Sequence, residues 1–137
     1  MNAVSHGGVD DLCRLISENH ASSIETGIDF IEADLWYFSS GYTKQKICRS
    51  LKRANLNEEQ RARLRTFILY IVDNHNRPEI RVYCRPAMAV RDASFDAAIL
   101  KRFDSSDRHQ RYRAEEVAIR LGLLPSRHKN SERDALT

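Results

Sequence analysis

Five histidines, three cysteines and one aspartate-histidine cluster are the side chains of this 137-residue chain suited to catalysis or metal binding. His6, His20, His75, His109 and His128 are dispersed, and none stands in an HxxxH, HExxH or Cys-His spacing that would turn two ligands onto one helical face. His75 and His109 fall at helix ends, where imidazole commonly serves the dipole or water. Asp104, Asp107 and His109 make a compact acid-base or ligand set, yet Asp-Ser-Ser-Asp is also an ordinary turn and helix-cap composition. Cys13, Cys48 and Cys84 are odd in number, lack CxxC spacing and fall on apolar stripes, which predicts reduced core residues. There is no Gly-rich phosphate loop and no GxSxG elbow. The residues therefore name no catalytic, cofactor-binding or metal site, and enzymatic activity is the minority reading.

The remaining chemistry is charge. Lys44, Lys46, Arg49, Lys52 and Arg53, continued by Arg61, Arg63 and Arg65, put eight cations within 22 residues. Such a surface suits an anionic partner, with nucleic acid held by its phosphate backbone as one case and a basic face neutralised by Glu25, Asp29, Glu32, Glu58 and Glu59 as the other. The net charge of +3 hides a division: residues 1 to 38 hold seven carboxylates against Arg14, a net of −6, so the rest carries +9. Trp36, Tyr37 and Tyr42 flank a Ser-Ser-Gly turn and are candidate protein-contact aromatics; Arg81, Tyr83 and Arg85 are of the type found at interface anchors.

The elements that must position these residues read as helices. From Lys44 to Ala54, the residues Ile47, Cys48, Leu51 and Ala54 share one side. The chain then turns over Asn55-Leu56-Asn57, with Asn57 and Gln60 spaced as a capping box. The helix that follows ends in the apolar run from Phe67 to Val72, which predicts a central helix covered nearly all round. Before it, Val9, Leu12, Cys13 and Ile16 form a first helix beginning near Val9. Ile24, Ile28, Ile31, Leu35 and Phe38 form a seam on a second, to be buried within the chain or against a second copy. Glu25, Asp29 and Glu32 flank that seam and are expected to face the cations of the next helix, after a turn at Ser39-Ser40-Gly41. Later helices start at Pro78-Glu79, where Pro86 should kink or end the helix, at Asp92 or Ser94, and near His109 with Gly122 as C-terminal cap. Residues 1 to 8 and 126 to 137 are expected to be flexible ends around one domain spanning 9 to 125.

The pattern Asp107-x-x-Gln110-Arg111-x-x-Ala114-x-x-Val117-Ala118-x-x-Leu121-Gly122 resembles the second half of a HEAT-type, armadillo-like helical repeat. The match runs over residues 94 to 122, with Gln110 where the family has an apolar residue. The resemblance implies stacked helical hairpins with a binding surface on one side. Together these readings predict an all-α domain of six or seven helices, as stacked antiparallel hairpins that are HEAT-like or an irregular bundle. The expected function is a non-catalytic protein-protein interaction module or adaptor; the alternative is nucleic-acid binding through residues 44 to 65. With no apolar run of the length a bilayer requires, the expected location is cytoplasmic.

Overall fold

The structure, a computed structural model, describes residues 6–33, 40–74 and 80–125. Within them the chain forms seven α-helices and no strand: α1 (His6–Ser17), α2 (Ala21–Glu32), α3 (Ser40–Arg53), α4 (Glu58–Asn74), α5 (Ile80–Val90), α6 (Ala93–Lys101) and α7 (Arg108–Arg120). A 3-10 turn at Arg102–Asp104 joins the last two. Helix α5 packs on α3, α4 and α7, while α3 also meets α1 and α2. The alternation of Ile80, Val82 and Cys84 would also suit a strand, but the segment is a helix with neighbours on three sides.

Local rules account for several helix ends. Asn57 and Gln60 form the reciprocal cap, each backbone N–H donating to the other's side chain at 2.9 and 2.8 Å. Asp92 accepts from the Phe95 amide at 2.7 Å, and Asp107 from the amides of His109 and Gln110. Helix α7 closes with Gly122 at φ 79°, Leu123 N–H bonding to Ala118 O and Gly122 N–H to Ile119 O. That is the paired pattern of a left-handed helix stop. Asn19, at φ 67°, closes α1 the same way, and its side chain accepts from the Asn55 amide at 2.6 Å, tying the end of α1 to the α3–α4 turn.

One contiguous core joins all seven helices, with Ile16, Ile28, Ile47, Leu51, Leu64, Ile68, Ile99 and Val117 fully enclosed. Each such aliphatic side chain contributes about 1.5–3 kcal/mol relative to leaving it in water. Gly27 marks a close approach: a Cβ there would lie 2.8 Å from Ile16 Cδ1 and 3.3 Å from Ile47 Cγ2, so α2 sits down on α1 and α3. Ile24, Ile28 and Ile31 of the seam are buried within the chain, while Leu35 and Phe38 lie outside the described residues.

Four expectations change. Helix α1 starts at His6 rather than near Val9. Ser40 and Gly41 belong to α3 rather than to a turn, since the chain there is already helical. Pro86 neither ends nor breaks α5, because Pro86, Ala87 and Val90 are buried against the surrounding helices and packing outweighs the lost backbone donor. Helix α4 is not covered all round: Leu64, Phe67, Ile68, Ile71 and Val72 face inward, but Tyr70 is 54% exposed. No helix among the described residues is long and apolar enough to cross a membrane.

Candidate functional site

The eight cations between residues 44 and 65 do not form one surface. Lys44 is fully buried, with Nζ 5.9 Å from the centre of the Tyr83 ring, and so leaves the solvent-facing set. Its spacing had placed it there: it lies three, four and seven residues before Ile47, Cys48 and Leu51, on the inward face. Lys46 binds Asp10 of α1 at 2.5 Å and stacks 5.0 Å from the exposed Tyr42 ring, and the Asp10 hydrogen bond raises the Lys46 pKa.

On α4 the arginines are committed to the protein itself. Arg61 Nη1 donates to Ala89 O at 2.7 Å and Arg65 Nη1 to Val90 O at 2.8 Å, so both satisfy carbonyls at the end of α5. Arg65 also pairs with Glu58 and approaches Asp92 at 3.5 Å. Arg63 receives the whole carboxylate stripe of α2: Glu25 and Asp29 at 2.8 Å and Glu32 at 2.5 Å. Those hydrogen bonds, led by that to Glu32, hold the guanidinium pKa above its ordinary value. The stripe therefore faces α4 and not, as expected, the cations of α3. What remains exposed of the original set, without a carboxylate among the described residues, is Arg49, Lys52 and Arg53 on α3.

Two of the concave regions among the described residues are of a size and lining to matter here. The larger, about 790 Å³, runs between the end of α2 and the outer side of α4 and is lined by Glu32, Ala33, Glu59, Ala62, Arg63, Thr66, Phe67 and Tyr70. Its floor is small and apolar, with aromatic rings at one end. Its rim is acidic, because Arg63 cannot neutralise Glu25, Asp29 and Glu32 together and Glu59 stands exposed beside them. Sequence reasoning missed this groove, although Glu59, Ala62, Thr66 and Tyr70 recur at helical spacing on the side of α4 opposite its apolar stripe. The smaller, about 250 Å³, lies between α3, α5 and α7, where Gln45, Arg81, Arg85 and Arg120 surround Val82, Cys84 and Met88. Arg81 and Arg85 had been singled out; Gln45 and Arg120 join them only through helix packing.

The other candidates serve structure. Asp107 caps α7, and the backbone hydrogen bond from His109 leads the causes that lower its carboxyl pKa. His20 Nδ1 lies 2.8 Å from Ser23 Oγ, near the start of α2. No group of three His, Cys, Asp or Glu among the described residues is placed to hold a metal ion. Cys48 and Cys84 are buried thiols; burial pushes Cys48 far up and Cys84 to about 12, so neither is a thiolate at neutral pH. Trp36 and Tyr37 lie outside the described residues. With the fold and these surfaces in place, comparison with known proteins adds no relative: no family model, no curated protein and no solved structure matches the chain.

Proposed function

We propose that this protein is a non-catalytic interaction module whose helical scaffold holds a basic, amphipathic segment of a protein partner in the groove between α2 and α4. The observation that carries the reading is the combination of an apolar floor, including the 54% exposed Tyr70, with an over-compensated Arg63 at the rim. Counting Glu25, Asp29, Glu32 and Glu59 against Arg63 gives four negative charges against one positive, a local net of −3. A groove of this volume accommodates two or so anchor side chains, and an acidic rim steers cationic segments toward it and away from anionic ones. The scaffold suits the task because the groove is built on helices whose inward faces are locked in the core, so little ordering has to accompany binding.

The nucleic-acid alternative through residues 44 to 65 rests on fewer cations than their number in the sequence suggests, since Arg61 and Arg65 serve α5 and Arg63 serves α2. Fluorescence anisotropy with a labelled Lys-rich amphipathic helical peptide, a scrambled peptide of equal charge and a labelled single-stranded DNA separates these readings. The expected result is saturable binding of the amphipathic peptide, at least about fivefold tighter than the scrambled one, lost on Ala62→Arg, which fills the groove with a cation. Equal binding of the two peptides would reduce the groove to a non-specific acidic face. Salt-sensitive DNA binding lost on Arg49→Glu with Arg53→Glu, and untouched by Ala62→Arg, would instead favour the nucleic-acid reading.

A further inference from the structure

The pocket between α3, α5 and α7 is independent of the groove: the two share no residue, and they carry opposite charge. Three arginines line its small volume from two helices, Arg81 and Arg85 from α5 and Arg120 from α7, with Gln45 arriving from α3. Arg81 is already approached at 3.5 Å by Glu116, whose side chain is 5% exposed. Three positive charges less that one carboxylate leave a local net of +2. Arg85 and Arg120 have no carboxylate partner among the described residues. Cys84, in the wall, stays a neutral thiol, so it offers no competing negative charge. Gln45, Arg49 and Lys52 are exposed at helical spacing along α3, which extends the positive field beyond the pocket mouth.

We infer that this pocket is a binding site for a phosphorylated side chain of a protein partner, with the phosphate held by Arg81, Arg85 and Arg120. Charge and donor type both point to that group. A phosphate monoester carries about −1.5 to −2 at neutral pH and presents three acceptor oxygens, which suits a net charge of +2 and several planar guanidinium forks. A carboxylate supplies half the charge and one oxygen fewer. Val82 and Met88 give the walls an apolar portion that suits the carbon stem of a single side chain. Tracking along a nucleic-acid backbone calls for cations strung along a groove, whereas here three converge on one small hollow.

The test is heteronuclear NMR of the full chain, following the arginine Nε–Hε signals during titration with a short peptide containing phosphoserine. The same peptide with serine, the same peptide with glutamate, and a short single-stranded RNA serve as the other arms. The expected result is saturable shifts of the Arg85 and Arg120 signals, with the phosphopeptide binding roughly tenfold or more tightly than either unphosphorylated peptide. Arg85→Gln with Arg120→Gln should abolish the binding while the unfolding midpoint stays near that of the parent, as both side chains are exposed. Equal binding of the glutamate peptide, absence of shifts at Arg85 and Arg120, or tighter binding of the RNA would each overturn the assignment. Wild-type titration reads out directly, so the assignment stays falsifiable even if the double variant fails to fold.

Discussion

Helices α3 and α4 both carry a run of cations, yet Arg49, Lys52 and Arg53 point to solvent while Arg61, Arg63 and Arg65 are tied to protein acceptors. The difference lies in what each helix runs beside. Helix α4 passes the end of α5, whose last carbonyls have no intrahelical donor, and the acidic flank of α2. An arginine there meets fixed acceptors with a rigid fork of donors, which lysine does not offer. The device recurs: Arg91 donates to Leu121 O at the end of α7, Arg102 to Ala98 O in α6, and Arg113 to Val72 O in α4. In this protein five of the arginines, Arg61, Arg65, Arg91, Arg102 and Arg113, donate to carbonyls near helix C-termini, so counting cations overstates the free positive surface.

The comparison breaks most visibly where such an arginine is buried. Arg113 is 5% exposed and its Nε donates to Val72 O at 2.7 Å. Arg113→Met keeps the volume and removes the donor, leaving a buried carbonyl without it. The expected loss is about 2–3 kcal/mol, read as a lower urea midpoint at an unchanged denaturant slope. Arg65→Met, at a half-buried site, should follow the same direction with a smaller loss. A change in Arg113→Met no larger than that of a typical surface substitution would mean that these contacts decorate the helix ends without holding them.

A second effect, of intermediate size, tests the ion pair that joins α4 to the last hairpin. Asp73 takes both Arg102 Nε, at 2.5 Å, and Nη2, at 2.8 Å, and accepts from Gln110 Nε2 at 2.7 Å. The Arg102 hydrogen bond is the chief cause that holds its carboxyl pKa below the ordinary range; burial opposes it. A depressed folded-state value means that the pair stabilises the fold fully above the unfolded carboxylate value of about 3.9, and that this stabilisation is lost as pH falls through the lower folded value. Asp73→Asn should therefore cost about 1 kcal/mol at neutral pH, after allowance for solvent screening. The gap to the parent should close on acidification below pH of about 3.9. Urea midpoints of both proteins at neutral and acidic pH give the comparison, and a gap that stays constant with pH would assign the loss to packing instead.

Much of the fold was legible because its signals are local. Asn57 with Gln60, Asp92, Asp107 and Gly122 each act within a few residues; their spacing marks the start of α4 and the end of α7, leaves the start of α6 between Asp92 and Ser94, and puts that of α7 near His109. The inward stripes of α3 and α4 were legible for the same reason. The surfaces were not, because they depend on which helices meet. Nothing near Arg63 in sequence identifies Glu25, Asp29 and Glu32 as its partners, more than thirty residues away. Likewise, Arg120 joins Arg81 and Arg85 only because α7 packs on α5. Lys44 differs: charge alone groups it with the surface cations, whereas its spacing to Ile47, Cys48 and Leu51 turns it inward. Gln110, which departs from the apolar residue of the HEAT-type pattern, acquires a reason only in three dimensions, as a donor to Asp73.

The smallest expected effect is the sharpest contrast with α4. Arg49 and Arg53 are exposed, and neither forms an ion pair or a hydrogen bond among the described residues. Reversing both to glutamate removes no contact and leaves no acceptor unsatisfied. Helix α3 holds five cations and no carboxylate, so two negative charges also relieve repulsion along its exposed side. One opposing influence is the helix dipole, which favours a cation over an anion at position 53, in the last turn. These contributions are each a few tenths of a kcal/mol and of opposite sign, so thermal and urea unfolding of Arg49→Glu with Arg53→Glu should lie within about 0.5 kcal/mol of the parent. A loss comparable to that of Arg113→Met would show that α3, like α4, uses its cations to hold the fold. A neutral result would leave them available to act outside it.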